Sequence, residues 1–128
     1  MRKFRALSSV QVGANLFEKQ FIYGGIYVHD DICTYIVAKD FEFKTIYKDT
    51  LGQFTGMKDC NNVEIFEGDI VVCDGLVWPQ EVYYVDEVAM FRLGRNDDDY
   101  GDFTLYDSGD FEVIGNIHQN PELINAEH

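Results

Sequence analysis

The feature that most constrains this chain is the shortness of its apolar runs. Ten stand out: Lys3–Leu7, Phe21–Val28, Ile32–Ala38, Phe41–Tyr47, Leu51–Thr55, Ile70–Cys73, Val77–Val85, Val88–Leu93, Phe103–Tyr106 and Phe111–Ile117. None approaches the roughly 18 apolar residues that a membrane helix needs. Turn-forming clusters separate them: His29-Asp30-Asp31, Asn61-Asn62, Asp74-Gly75, Gly94 to Gly101 and Asp107 to Asp110. Short strands broken at this spacing predict a sandwich or a barrel. Composition points the same way. Leu and Ala together number 12 in 128 residues, against 19 Phe, Tyr and Trp, a balance that favours strands over helices. Phe41, Phe43, Thr45 and Tyr47 alternate with Glu42, Lys44, Ile46 and Lys48, which predicts one buried and one largely wet face. Gly24-Gly25 is expected to bend or bulge its strand. Two segments have helical character: Val12–Gln20, weakly amphipathic, and Pro121–Glu127, which starts with Asn120 as N-cap and Pro121 at the first helical position.

Charge is divided unevenly. Residues 1–50 hold seven basic and six acidic residues, whereas residues 51–128 hold three basic and 17 acidic ones, within a net charge of −13. Such a back half repels phosphate backbones, so nucleic acid is an unfavourable partner. It provides solubility, or else an acidic face that attracts a basic partner or imitates nucleic acid. The three cysteines, Cys33, Cys60 and Cys73, are odd in number and lack a CxxC pair. Neither a disulfide framework nor a zinc ribbon is expected, and a reducing cytoplasm fits best. The basic start, Met1 to Arg5, leads into no continuous apolar segment, so no secretory signal is expected.

The richest stretch runs from Thr50 to Cys73. Gly52 and Gly56 flank Gln53-Phe54-Thr55 and permit close backbone approach. Asp59 to Asn62 forms a hairpin tip, and Asn tolerates the left-handed backbone that a tip requires. Glu67-Gly68-Asp69 then turns the chain into the buried strand Ile70-Val71-Val72. The string Leu51-Gly52-Gln53-Phe54-Thr55-Gly56-Met57-Lys58-Asp59-Cys60-Asn61-Asn62-Val63-Glu64-Ile65-Phe66-Glu67-Gly68-Asp69-Ile70-Val71 resembles the pattern of the YopX family of small phage and prophage proteins. Lys3-Phe4-Arg5-Ala6 is similar to the start of that family. Val113-Ile114-Gly115-Asn116-Ile117, followed by Asn120-Pro121-Glu122-Leu123, is similar to its end. Two positions depart from the pattern: Asn62 stands where the family has Gly, and Leu7 where it has Trp. The middle, Cys73 to Glu112, matches no pattern. The resemblance implies an intracellular phage-associated protein with an SH3-like barrel, and it brings no catalytic residue set.

Other constellations are weaker. Asp97, Asp98, Asp99 and Asp102 invite a calcium loop, but Tyr100 falls where a carboxylate is wanted and Asp107 where a Glu belongs. These aspartates read instead as a solvated loop or part of an interaction surface. Cys33 near His29 is a nucleophile pair only if a turn brings the two together. Cys60, Cys73 and His118 lack paired ligand spacing for zinc. Glu67 and Asp69 fit hydrogen bonding to main-chain amides better than acid–base catalysis. Trp78-Pro79 marks a sheet edge or loop, and Trp78 with Tyr83, Tyr84 and Phe91 forms either an interaction surface or core.

These observations make the chain a single all-β domain over residues 1–128. A small SH3-like barrel is expected over about 50–117, extended by N-terminal strands from 1–49 and closed by a short C-terminal helical turn. Gly52, Gln53, Thr55, Gly56, Asp59, Glu67, Gly68, Asp69, Gly115, Asn116 and Pro121 are expected to be structural. No catalytic residue, cofactor or metal is assigned. The expected role is a non-enzymatic module that binds a host or phage protein, or another copy of itself, in the bacterial cytoplasm. An acidic nucleic-acid mimic or anti-defence inhibitor, and a nucleic-acid-binding small barrel, are the alternatives.

Overall fold

In a computed structural model, residues 3–28, 34–37, 43–73, 79–86, 89–94, 103–104 and 111–125 are described. Their regular structure is almost entirely antiparallel β, with one short helix, α1 (Glu122–Asn125). The all-β expectation therefore holds. The chain divides into two compact units, Met1–Phe54 and Thr55–His128. Strand β5 (Gly52–Lys58) begins in the first and ends in the second.

The first unit is built on a long hairpin. β1 (Phe4–Gln11) pairs with β2 (Phe17–Val28) from Phe4↔Gly24 to Gln11↔Phe17. The helix expected over Val12–Gln20 is thus replaced by the hairpin turn and the start of β2. Along Phe17–Gln20 the antiparallel ladder with Gln11–Ser8 supplies cross-strand hydrogen bonding, and a weak amphipathic period does not compete with that. Gly24-Gly25 is the place where β2 changes partners. Gly24 still faces Phe4 of β1, whereas Gly25 faces Val37 of β3 (Thr34–Val37). A β-carbon on Gly24 would overlap the carbonyl oxygen of Val37, so the close approach itself requires glycine. β4 (Phe43–Thr45) completes the order β4-β3-β2-β1-β5. A 3-10 turn over Lys48–Thr50 then carries the chain to β5. The Leu7 N–H donates to the Thr50 hydroxyl, which itself donates to the Tyr47 carbonyl. The Tyr47 N–H donates back to the Leu7 carbonyl. Buried Thr50 therefore clamps this turn onto β1.

The second unit carries β6 (Glu64–Phe66), paired with β5, and a five-stranded sheet in the order β10-β9-β8-β7-β11. Its strands are β7 (Asp69–Cys73), β8 (Gln80–Val85), β9 (Met90–Gly94), β10 (Phe103–Thr104) and β11 (Phe111–Asn116). β8 starts immediately after Pro79, as a residue without an N–H to donate requires. Its core is Ile65, Val71, Val82, Leu93 and Phe111, with Met57, Phe91 and Val113 packed against it.

Candidate functional site

Asp59, Asp69 and Gly68 of the motif each have a main-chain task. At the β5–β6 tip, Asp59 is buried, and its Oδ1 accepts hydrogen bonds from the N–H groups of Asn61 (2.8 Å) and Val63 (2.9 Å). Its Oδ2 accepts from Val113 N–H on β11, 54 residues away in sequence, at 2.9 Å. Burial by itself pushes this carboxyl up, but the three amide donors outweigh it and hold it below its ordinary value. Asn62 takes the left-handed conformation at φ 66°, which explains why Asn serves where the related pattern carries Gly. Cys60, exposed, adds a main-chain bond to Phe111.

The corner between β6 and β7 is built the same way. Gly68 sits at φ 94°, a conformation open to glycine but not to side-chain-bearing residues. Its N–H donates to Val82 on β8, and its carbonyl accepts from Ile117 just beyond β11. Asp69 is 1% exposed, and its Oδ2 accepts from Phe66 N–H at 2.7 Å, closing the turn. Thr55 donates its hydroxyl proton to the Ile65 carbonyl, and Gly56 follows at φ 89°. In the first unit, Gly52 and Gln53 pair with Arg5 and Phe4 of β1.

The C-terminal pattern closes the second unit. A register shift lies between Val113 and Gly115, and a β-carbon on Gly115 would press on Asn120 and Leu123. Asn116 Oδ1 accepts from the N–H groups of His118 and Gln119. Asn120 turns its Oδ1 back to Asn116 N–H, and exposed Pro121 precedes the single turn of α1.

The chain belongs to the YopX family. The family model matches residues 3–125, nearly the whole chain. The chain is also similar to a solved structure, described as the crystal structure of protein EF1440 from Enterococcus faecalis. The identity is 26%, over 97% of this chain and 98% of that one, with a TM-score of 0.47. No curated protein matches it. The YopX motif residues thus describe how two turns and a terminus are bolted together. Asp59 and Asp69 have carboxylate oxygens committed to amides, as expected of Asp69. The Glu67 charge also acts on Glu81 of β8. Burial, then the nearby Glu67 charge, pushes Glu81 up.

A raised carboxyl favours folding only below its unfolded value near 4.5, and that contribution is lost as pH rises through the higher folded value. Glu81→Gln is therefore expected to stabilise the protein at pH 7 by about 0.5 kcal/mol, with the gain vanishing below about pH 4. Urea midpoints at the two pH values check it; equal midpoints at pH 7 would count against the Glu67–Glu81 repulsion.

The surface that sequence reasoning missed lies in the first unit. Phe43 is 57% exposed, on the aromatic side of the alternation read from residues 41–48. Its ring stacks on Tyr27 (centroids 5.0 Å) and Tyr35 (6.1 Å). Ile36, fully buried, points the other way, so the core took the opposite face of β3. Val12, Leu16, Phe17, Tyr23, Ile26, Tyr27, Val28 and Tyr47 are exposed as well. Of the aromatics expected near Trp78, Tyr84 is exposed and meets Phe91 edge-on, while Phe91 packs on the core. Trp78 itself, Asp97, Asp98, Asp99, Asp102, Cys33 and His29 lie outside the described residues. Among the described residues no group of three or more His, Cys, Asp or Glu is arranged to hold a metal. No helix among them is long and apolar enough to cross a membrane.

Proposed function

We propose that this YopX protein is a non-enzymatic interaction module of phage or prophage origin that works in the bacterial cytoplasm and binds a protein through its first unit. The observation that carries this reading is the placement of exposed apolar side chains. Among the described residues, nine of the twelve exposed large hydrophobics belong to residues 1–54. Concentrated apolar exposure of this kind marks interaction surfaces, and aromatic residues supply most of the energy at such surfaces. The antiparallel order β10-β9-β8-β7-β11, entered through the Gly68 corner, supports reading residues 50–117 as a small SH3-like barrel. The test is capture of partners from bacterial lysate on tagged protein at low and high salt. A host or phage protein retained at high salt, and lost on Tyr23→Ser, supports apolar docking. The second reading, an acidic mimic of nucleic acid, rests on the 17 acidic and three basic residues within 51–128. It predicts a basic or nucleic-acid-handling partner held only at low salt.

A further inference from the structure

β11 stands at one end of the order β10-β9-β8-β7-β11. An end strand offers its outer main-chain groups to a strand from another chain. The segment is suited to such pairing. Residues 111–117, Phe-Glu-Val-Ile-Gly-Asn-Ile, hold an aromatic ring and three β-branched residues, with one charge, one Gly and no Pro. Segments of that composition stack into cross-β assemblies when their edge is open.

In the folded chain this edge is occupied. Phe111, Val113 and Asn116 turn main-chain groups away from β7, and each finds a partner within the second unit. The Phe111 carbonyl accepts from the Cys60 N–H at 2.8 Å. The Val113 N–H donates to Asp59 Oδ2 at 2.9 Å. The Asn116 N–H donates to Asn120 Oδ1 at 3.3 Å, and its carbonyl accepts from the Asn120 N–H at 2.8 Å. Between these two ends the register shift at Val113 and Gly115 interrupts the regular edge, as bulges do. The blocking tip is itself a closed turn. The Asp59 N–H donates to the Val63 carbonyl, and the Asn62 N–H donates to the Asp59 carbonyl. Asp59 meets β11 with its side chain, so it takes up the donor without extending a ladder that another chain could join.

We propose that the β5–β6 tip and the turn from Asn116 to Asn120 form an edge guard that keeps β11 from pairing with the same strand of another copy. This assignment does not depend on what the first unit binds. It gives Asp59, Asn116 and Asn120 a task beyond holding the fold together.

The experiment incubates the purified full chain at micromolar concentrations and neutral pH, followed by light scattering and thioflavin T fluorescence. The parent protein is expected to keep its starting mass. Asp59→Ala with Asn120→Ala opens both ends of β11, and its mass and fluorescence are expected to rise several-fold. Adding Ile114→Lys, at an exposed position of β11, places a charge on the opened edge without restoring either cap, and should hold the mass at its starting value. Gly24→Ala, which loosens the first unit and leaves β11 guarded, should keep its mass too. Where the double variant does not fold, Asn120→Ala by itself opens one end and is expected to assemble more slowly. A parent that grows on incubation overturns the proposal, as does a folded double variant, or Asn120→Ala in its place, that keeps the parent mass. Assembly that Ile114→Lys fails to stop, or that Gly24→Ala matches, overturns it as well, because general unfolding rather than the β11 edge is then the cause.

Discussion

Replacing Asp59 by Ala is expected to cost about 3 kcal/mol or more at neutral pH, because three buried or half-buried amides lose a charged acceptor together. That is a large share of the roughly 5–15 kcal/mol by which domains are stable. The loss joins two parts of the chain that are far apart in sequence. Asn61 and Val63 would lose the tip of the β5–β6 hairpin, and Val113 would lose the tie that holds β11 to it. The pH dependence follows from the lowered carboxyl. Its stabilising contribution is complete above the ordinary value of 3.8 and disappears as pH falls through the lower folded value. The difference between the parent and Asp59→Ala in urea unfolding should therefore be wide at pH 7 and narrow steadily below about pH 4. A gap that stays constant with pH would show that the carboxylate charge contributes nothing. A total loss under about 1 kcal/mol would show that the amides find other acceptors.

Gly24→Ala is expected to be comparably damaging, by about 3 kcal/mol, through sterics rather than charge. The new methyl group would overlap the Val37 carbonyl oxygen and press on the Ile36 side chain. Main chain cannot yield as a flexible side chain does, so the change must part β2 from β3 where Gly25 pairs with Val37. Amide hydrogen exchange localises the result. Protection should fall along Gly25–Val28 and Thr34–Val37, while the β7–β11 ladder of the second unit keeps its own. Gly25→Ala is the control, since a β-carbon there meets nothing within 4 Å. Equal protection losses for the two substitutions would mean that strand propensity, and not the Val37 contact, is what Gly24 provides.

Much of this was legible in the residues. The scarcity of Leu and Ala and the short aromatic runs dictate strands, because propensity and period are local properties. Turn chemistry is local too. Asn62 and Gly68 stand where the backbone turns left-handed, and Pro79 stands just before β8. The motif from Leu51 to Val71, with its matching ends, was enough to place the chain in the YopX family.

Partner choice along the chain decided the remainder. Val12–Gln20 has a weak helical period, yet it becomes a turn and a strand because Phe17 to Gln20 pair with Gln11 to Ser8 in an antiparallel ladder. The alternation over residues 41–48 correctly marks a strand, but alternation by itself does not say which face meets the core. Ile36 on β3 took the inside, so Phe43 stacked outside with Tyr27 and Tyr35. Asp59 and Val113 are 54 residues apart, and no spacing rule brings a carboxylate to that amide. The sequence by itself determined the class of element, the sites of the turns and the family. Only the tertiary structure decided which apolar residues were left in water, since burial depends on which strands come to lie side by side, and that pairing is set by long-range ladders rather than by neighbouring residues.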